Sequence, residues 1–194
     1  MEITSAQLKE LRDQTGISVM QCKKALEEAG GDMEKAIIIL KKKRSDAADK
    51  KSDRELGAGA VGAYMHNTNE IAALVLLGCE TDFVSKNPEF VALAKDIAMQ
   101  VAATSPNFIS RSEVSGSIIE KAKEIFGAEV ADKPAEMQEK ILEGKLSSYF
   151  REQILLEQPF IKNPDTTIGE MVNGAIQKFG ENVQVVKMSR ISVK

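Results

Sequence analysis

The sequence predicts an α+β fold, in which a bundle of three short helices precedes a core with a three-stranded antiparallel sheet covered by helices. The first observation is that apolar residues recur at helical spacing early in the chain, between glycines that end helices. The second is a pair of apolar segments joined by Asn67-Thr68-Asn69, which is typical of a hairpin turn. The third is the alternation along residues 183–193, which is typical of a further strand.

The predicted three-helix bundle occupies residues 1–42. Thr4 and Ser18 each stand three positions before a glutamine, which is the spacing of a capping box at the start of a helix. Gly16 and a later Gly-Gly pair end the first two helices, and Asp32 is suited to cap the third. Each helix then has one apolar stripe, which indicates a small shared core.

A polar linker is expected over residues 43–57, either irregular or helical in part, because so few apolar residues cannot join a core. The α+β core is then predicted over residues 58–194. Its predicted strands cover 60–66, 70–80 and 183–193, and its helices cover about 88–103, 113–126, 134–156 and 168–179.

The second predicted strand is apolar on both of its faces, as the run Ile71-Ala-Ala-Leu-Val-Leu-Leu-Gly78 indicates. Such a strand needs cover on both sides. Helices of the core can supply one cover. A second copy of the chain is the simplest candidate for the other, so we expect a homodimer in which the core is the dimerisation domain.

Composition narrows the classes of partner. The formal net charge of −3 argues against nucleic acid, because phosphate binding needs a concentrated basic face. The run Lys41-Lys42-Lys43-Arg44 ends a predicted helix, where cations are favourable, so a solvated helix end is the better interpretation. Cys22 and Cys79 lie in apolar patterns and are too few for a disulfide framework, which predicts reduced thiols in a cytoplasmic protein. With neither a leader pattern nor an apolar run of about 18 residues, we expect no membrane association.

Motifs for cofactors and catalysis do not fit their context. The glycines of Gly57-Ala-Gly59-Ala-Val-Gly62 follow a charged segment and precede a strand, whereas a dinucleotide-binding loop follows a strand and opens a helix. His66 is the single histidine, so a zinc site is not expected. The chain has no phosphate-binding loop of the GTPase type, and no nucleophile has an obvious base beside it. We therefore expect neither an enzyme nor a bound metal or cofactor. The alternative that the pattern leaves open is an enzyme whose active site is assembled from residues far apart in the sequence.

The most informative segment is Cys79-Glu80-Thr81-Asp82-Phe83-Val84-Ser85-Lys86-Asn87-Pro88, which lies where a predicted strand becomes a helix. A rigid scaffold presents side chains to partners at such junctions. Two interpretations remain open from the pattern. In the ordinary one, Phe83 packs in the core and Asp82 caps the helix. In the functional one, both side chains face a partner.

Three segments together resemble the bacterial elongation factor Ts family. The segment Glu80-Thr-Asp-Phe-Val-Ser-Lys-Asn87 resembles the signature of that family. Leu11-Arg-Asp-Gln-Thr-Gly16 with Met20-Gln-Cys-Lys-Lys-Ala-Leu26 is similar to its opening motif, and Glu157-Gln-Pro-Phe-Ile161 to a third segment. The matches stand in the family order and span nearly the whole chain.

The resemblance implies a guanine-nucleotide exchange factor that binds elongation factor Tu, both GDP-bound and nucleotide-free, in translation elongation. It implies that the helical bundle is of the ubiquitin-associated (UBA-like) type, and that this short form pairs as a homodimer. The positions that the family uses to displace Mg²⁺ from the partner correspond to Thr81, Asp82, Phe83 and Val84. Those that contact the nucleotide-binding domain of the partner correspond to Arg12, Val19 and Met20.

The residues also allow other interpretations of the bundle. Many members carry Met where this chain has Val19, and a solvated Arg12 with a core Met20 is an equally simple interpretation. The alternative function is a non-catalytic UBA-like module that binds helical partners, with the core as a scaffold. That alternative predicts that residues 1–42 suffice for function and that Asp82 and Phe83 are replaceable.

Overall fold

The computed structural model describes residues 3–131 and 134–193. The helices are α1 (Ser5–Thr15), α2 (Val19–Glu28), α3 (Met33–Asp49), α4 (Asp82–Ser85), α5 (Pro88–Thr104), α6 (Gly116–Val130), α7 (Ala135–Gln153) and α8 (Ile168–Phe179). The strands are β1 (Ala58–Met65), β2 (Ile71–Cys79), β3 (Pro159–Phe160), β4 (Asn163–Thr167) and β5 (Val183–Ser192). The predicted α+β class is confirmed, with three helices before a three-stranded sheet and its helices.

The chain divides into two compact units. We call residues 1–55 with 173–183 the helical unit, and residues 56–172 with 184–194 the sheet unit. Within the parts of both units that the structure describes, no helix combines the length and apolar character needed to cross a membrane.

The helical unit begins its helices where the sequence predicts. Thr4 and Gln7 form a capping box, in which each side chain accepts a hydrogen bond from the backbone N–H of the other. Gly16 has φ of 67°, the left-handed conformation that ends α1 without strain. The Asp32 carboxylate accepts from the N–H of Lys35 at 3.0 Å and caps α3. The fully buried core of this unit is Leu11, Cys22, Ala25, Leu26 and Ala36.

The third helix continues to Asp49, so it enters the segment that the sequence indicates as a linker. Lys41 to Lys43 are exposed, as expected for a solvated helix end. Arg44 is different, because its guanidinium donates to the carbonyl oxygen of Thr15 and to the Gln177 side chain, both at 3.3 Å. A half-buried guanidinium satisfies a carbonyl at the end of α1 in this way.

The main sheet has the order β1-β2-β5. The first two strands form the predicted hairpin, with a register that runs from Ala58 opposite Cys79 to Met65 opposite Ala72. The α5 helix covers one face of the sheet and buries Phe90, Ala94, Ile97, Ala98 and Val101.

The opposite face of this sheet is apolar and exposed in the single chain. Val61 lies opposite Leu76, and Ala63 lies opposite Leu74. The large apolar side chains exposed on the two hairpin strands are Val61, Met65, Leu74 and Leu76. Val186 of β5 is also exposed, and its Cγ2 lies next to Gly78 on β2. We call these five side chains the open sheet face.

The glycines of β1 are packing residues. Gly59 and Gly62 lie inside a strand, not in a turn that opens a helix, so they do not form a dinucleotide-binding loop. A Cβ atom at Gly59 would lie 2.7 Å from the carbonyl oxygen of Leu77. The glycine pattern therefore reflects close approach of backbones.

A buried amide network holds a two-stranded hairpin, β3 with β4, that the sequence pattern does not predict. The Gln100 side chain donates to Gln158 Oε1 at 3.0 Å and accepts from the N–H of Ile161 at 2.9 Å. Thr104 Oγ1 also donates to Gln158 Oε1, at 2.7 Å. Gln100 and Gln158 are buried, so this network fixes the Glu157–Ile161 segment against α5.

Candidate partner-binding site

The segment from Thr81 to Val84 begins a short helix directly after β2. Thr81 is the N-cap of α4, and its Oγ1 accepts from the N–H of Val84 at 3.5 Å. Its carbonyl oxygen accepts from the N–H of Ser85 at 3.2 Å. Because α4 has only four residues, it is a single fixed turn between a strand and α5.

The two apolar side chains of this turn point to opposite environments. Phe83 is 83% exposed, whereas Val84 is buried. Neighbouring residues on a helix point about 100° apart, so burial of one leaves the other free to face solvent. Phe83 therefore does not pack in the core, and the first half of the ordinary interpretation is wrong.

Asp82 is not a helix cap, because Thr81 caps α4 and Asn87 caps α5. Its carboxylate accepts a hydrogen bond from Lys86 Nζ at 2.6 Å, one helical turn later. The hydrogen bond from Lys86, followed by the attraction of its charge, holds the pKa of Asp82 below its ordinary value. An ionised carboxylate thus stands beside an exposed aromatic ring at neutral pH.

A shallow groove begins at this ring. It is lined by Asp82, Phe83, Lys86, Asn87 and Pro88. Part of its lining is the start of α5, where Asn87 Oδ1 accepts from the N–H of Glu89 at 2.9 Å and Pro88 occupies the first turn. The groove and the ring offer a partner an apolar projection flanked by one negative and one positive charge.

The second predicted set, Arg12, Val19 and Met20, lies in the helical unit. Arg12 is exposed in the last turn of α1. Val19 and Met20 begin α2 and are 49% and 70% exposed. The interpretation of Met20 as a core residue is therefore wrong, and both apolar side chains are accessible to a partner. These residues flank the turn at Gly16, and they belong to a different unit from Asp82 and Phe83.

Two features of the sites were missed from the sequence. Lys86 bonds to Asp82, and the signal was the acid-to-lysine spacing of four residues on a helix. Ile38 on α3 is a further exposed apolar residue of the helical unit. In the sequence Ile38 stands inside the apolar run from Ala36 to Leu40, and such a run does not indicate which of its residues faces solvent.

Among residues 3–131 and 134–193, no group of three or more His, Cys, Asp or Glu side chains is placed to hold a metal ion. His66 follows β1, and its Nδ1 lies 3.3 Å from the Tyr64 hydroxyl. The chemistry that this site offers is recognition by charge and apolar contact.

Comparison with known proteins gives consistent matches. The family model described as Elongation factor TS matches residues 48–194. A protein named Elongation factor Ts from Carboxydothermus hydrogenoformans is 49% identical over 193 residues, covering 98% of this chain and 89% of that relative. One of the same name from Thermodesulfovibrio yellowstonii is 47% identical over 194 residues, covering 100% and 97%. Another from Fervidobacterium nodosum is 46% identical over 195 residues, covering 100% and 99%.

Proposed function

This chain belongs to the elongation factor Ts family of translation elongation factors, and on that premise we propose that it is a guanine-nucleotide exchange factor for elongation factor Tu. It binds Tu carrying GDP and accelerates the loss of the nucleotide. The observation that supports this proposal most directly is the exposed Phe83 ring beside the ionised Asp82 carboxylate. The activity makes and breaks no covalent bond, so the protein is not an enzyme in the usual sense and uses no cofactor of its own.

Phe83 and Asp82 act directly on the partner in this proposal. GDP is held through its phosphates and a Mg²⁺ ion, which requires nearly ideal octahedral coordination. Insertion of Phe83 into an apolar gap between two helices of Tu buries an exposed ring, which contributes about 1.5–3 kcal/mol. Asp82 then competes for hydrogen-bond donors that served the outer shell of the metal, and outer-shell partners control metal affinity.

Thr81 and Val84 act by holding the turn that carries these two side chains. Thr81 supplies the cap of α4, and Val84 fixes the turn to the core through its burial. Loss of either contact would leave Phe83 with more conformations in the free protein. The binding of Tu would then have to supply the ordering free energy.

The exposed Arg12, Val19 and Met20 provide a second contact, with the nucleotide-binding domain of Tu. Val19 is shorter and less flexible than the methionine that many family members have at this position, so it offers less apolar area to the partner. In our proposal this contact contributes mainly to affinity, whereas the Asp82–Phe83 contact drives release.

Thermodynamic linkage defines which state of Tu is favoured. Any factor by which this protein weakens GDP binding must equally weaken its own binding when GDP is present. A thousandfold effect requires about 4 kcal/mol of coupling. The complex is therefore tightest with nucleotide-free Tu, and fresh nucleotide releases it.

The functional form in this proposal is a homodimer in the cytoplasm, where translation elongation takes place. The open sheet face supports the pairing, because exposed apolar patches of contiguous side chains mark interaction surfaces. In a two-fold symmetric dimer the same patch of both copies meets, so the apolar side chains of one open sheet face would pack on those of the other. Neither nucleic acid nor a membrane is a partner in this proposal.

A second candidate function is a UBA-like module that binds a helical partner through the helical unit alone. The observation in its favour is the exposure of Val19, Met20 and Ile38 on that unit. It differs from the main proposal in leaving Asp82 and Phe83 without a role.

The deciding experiment measures release of a fluorescent GDP analogue from Tu under excess unlabelled GDP. Wild type is compared with Asp82→Ala/Phe83→Ala and with a matched control, Glu124→Ala/Ile125→Ala. The control also removes an exposed acid and a neighbouring exposed apolar side chain, since Ile125 is 63% exposed on α6. We expect strong acceleration by wild type and control, and near-complete loss in the first variant with its fold intact by circular dichroism.

Acceleration that survives Asp82→Ala/Phe83→Ala keeps the exchange activity and rejects this site. Binding of Tu without any acceleration by wild type favours the module interpretation. Neither binding nor acceleration with a Tu from a closely related source overturns the proposed function.

A further inference from the structure

The thiol of Cys79 lies under the turn that presents Phe83. Cys79 is the last residue of β2 and is fully buried. Its Sγ donates a hydrogen bond to the carbonyl oxygen of Thr81 at 3.2 Å. The thiol therefore bonds from the end of the strand to the residue that caps α4.

The carbonyl of Thr81 accepts two hydrogen bonds. One comes from Cys79 Sγ, and the other comes from the N–H of Ser85 at 3.2 Å and forms the first helical bond of α4. A carbonyl oxygen has two lone pairs, so both bonds can exist together. The orientation of this peptide group decides the direction in which α4 starts, and hence where Phe83 points.

A helix of four residues needs such support from outside. The first turn of a helix fixes several dihedral angles for one hydrogen bond, so it is unfavourable by itself. The Phe83 ring is exposed, so it does not stabilise α4 in the free protein by burial. The support comes from the burial of Val84, the Thr81 cap, the bond of Lys86 to Asp82 and the thiol.

The carbonyl group of Glu80, just before this turn, is also fixed, by close packing against Gly57, the residue that precedes β1. A Cβ atom at Gly57 would lie 2.9 Å from the carbonyl oxygen of Glu80, so only a glycine allows this approach without a shift. The carbonyl groups of two consecutive residues after β2 are thus held in place, that of Glu80 by close packing and that of Thr81 by the thiol.

We propose that Cys79 is a positioning residue for GDP release: its thiol, bonded to the Thr81 carbonyl, orders the turn that carries Asp82 and Phe83. This inference rests on the proposed exchange activity. Cys79 does not touch the partner, and its effect reaches the partner only through the order of α4.

The test uses the full chain with Cys79→Ala, Cys79→Ser and the control Val75→Ala. Serine keeps a donor at this position, whereas alanine removes it. Val75 is also fully buried, on the same face of β2, so its truncation lowers stability without removing a donor. Two quantities are measured: amide hydrogen exchange of Ser85 in the free protein, and kcat and KM for GDP release from Tu.

In Cys79→Ala we expect about fivefold faster amide exchange at Ser85 and about fivefold lower kcat, which corresponds to roughly 1 kcal/mol for one hydrogen bond. KM for Tu should stay within about twofold, because the contacts of the helical unit persist. Cys79→Ser should restore both quantities, and Val75→Ala should leave both unchanged although its melting temperature falls.

Unchanged Ser85 exchange and kcat in folded Cys79→Ala overturn the inference. Equal losses in Cys79→Ser, or the same losses in Val75→Ala, also overturn it, because packing alone would then account for the effect. A wild type that does not accelerate GDP release overturns the proposed function and the role of Cys79 in it. The amide exchange at Ser85 still decides, in that case, whether the thiol orders the turn.

Discussion

The carbonyl group of Ala94 on α5 occupies the space that a Cβ atom at Gly62 on β1 would need. Helix and strand backbones are in direct contact at this point, with no side chain between them. This contact sets the separation of α5 from the sheet, and α5 begins directly after the turn that carries Phe83.

Gly62→Ala should therefore destabilise the protein by about 2–3 kcal/mol, since the added methyl forces backbone away from backbone. The matched control is Gly127→Ala in α6, where a Cβ atom meets nothing within 4 Å. That variant should gain up to about 1 kcal/mol from helix propensity. Urea unfolding of both variants measures the difference, and equal stability for the two would contradict the close approach.

Gln100→Leu should cost about 2–3 kcal/mol of unfolding free energy. The leucine leaves the N–H of Ile161 without its acceptor, and Gln158 Oε1 loses one of its two donors, since Thr104 remains. Gln138→Leu is the control, because it removes a solvent-exposed hydrogen bond from Gln138 to the Ala131 carbonyl and should change stability by less than about 0.5 kcal/mol. A loss in Gln100→Leu no larger than in the control would show that the amide network does not hold the β3–β4 hairpin.

Lys86→Met should raise the pKa of Asp82 toward its ordinary value of 3.8, because the main cause of the lowered pKa is the hydrogen bond from Lys86. NMR titration of the side-chain carboxyl measures the pKa directly. Asp32 is an internal control, since its pKa is lowered mainly by the backbone N–H of Lys35 and should not move.

The sign of the linked stability effect follows from the direction of the shift. A carboxyl whose pKa is lower in the folded state favours folding above its ordinary pKa, and this contribution disappears as the pH falls through the folded-state value. The contribution of Asp82 to folding stability should therefore be lost as the pH falls below 3.8 in wild type, and it should be smaller in Lys86→Met, where only the backbone hydrogen bonds still lower the pKa. An unchanged Asp82 pKa in the variant would show that the pair does not form in solution.

Val61→Lys/Leu76→Lys should weaken self-association by more than tenfold. These two side chains lie opposite each other on the open sheet face, and each buried apolar side chain contributes about 1.5–3 kcal/mol to an interface. Sedimentation velocity over a concentration series measures the dimer affinity, with Ile125→Lys as an exposed apolar control on α6. A wild type that stays monomeric at all concentrations would reject the homodimer, and weakening by Ile125→Lys would move the interface elsewhere.

Local signals predicted much of the fold because they act over a few residues. The side chains of Thr4 and Asp32 cap helices by accepting from the backbone N–H three residues later, and this spacing can be recognised in the sequence. The hairpin of β1 with β2 follows from its turn residues and apolar runs. The bounds of α8 agree with the predicted 168–179 because its ends coincide with changes in the apolar pattern.

The remaining features depend on contacts between distant segments. The sequence pattern did not decide whether Phe83 was buried, because a helix of four residues is too short to show a repeating apolar pattern. The contact of Arg44 with Thr15 and the bond of Gln100 with Gln158 join residues far apart in the chain. Interactions of this kind appear only when the fold has brought the segments together.

Cys22 and Cys79, both fully buried, belong to different units of the protein. A water-soluble thiol reagent can reach either sulfur only when the surrounding unit opens. The labelling rate of Cys22 therefore reports opening of the helical unit, and that of Cys79 reports opening of the sheet unit. Each unit therefore contains one buried thiol, and a comparison of the two labelling rates in the free protein would show which unit opens more often.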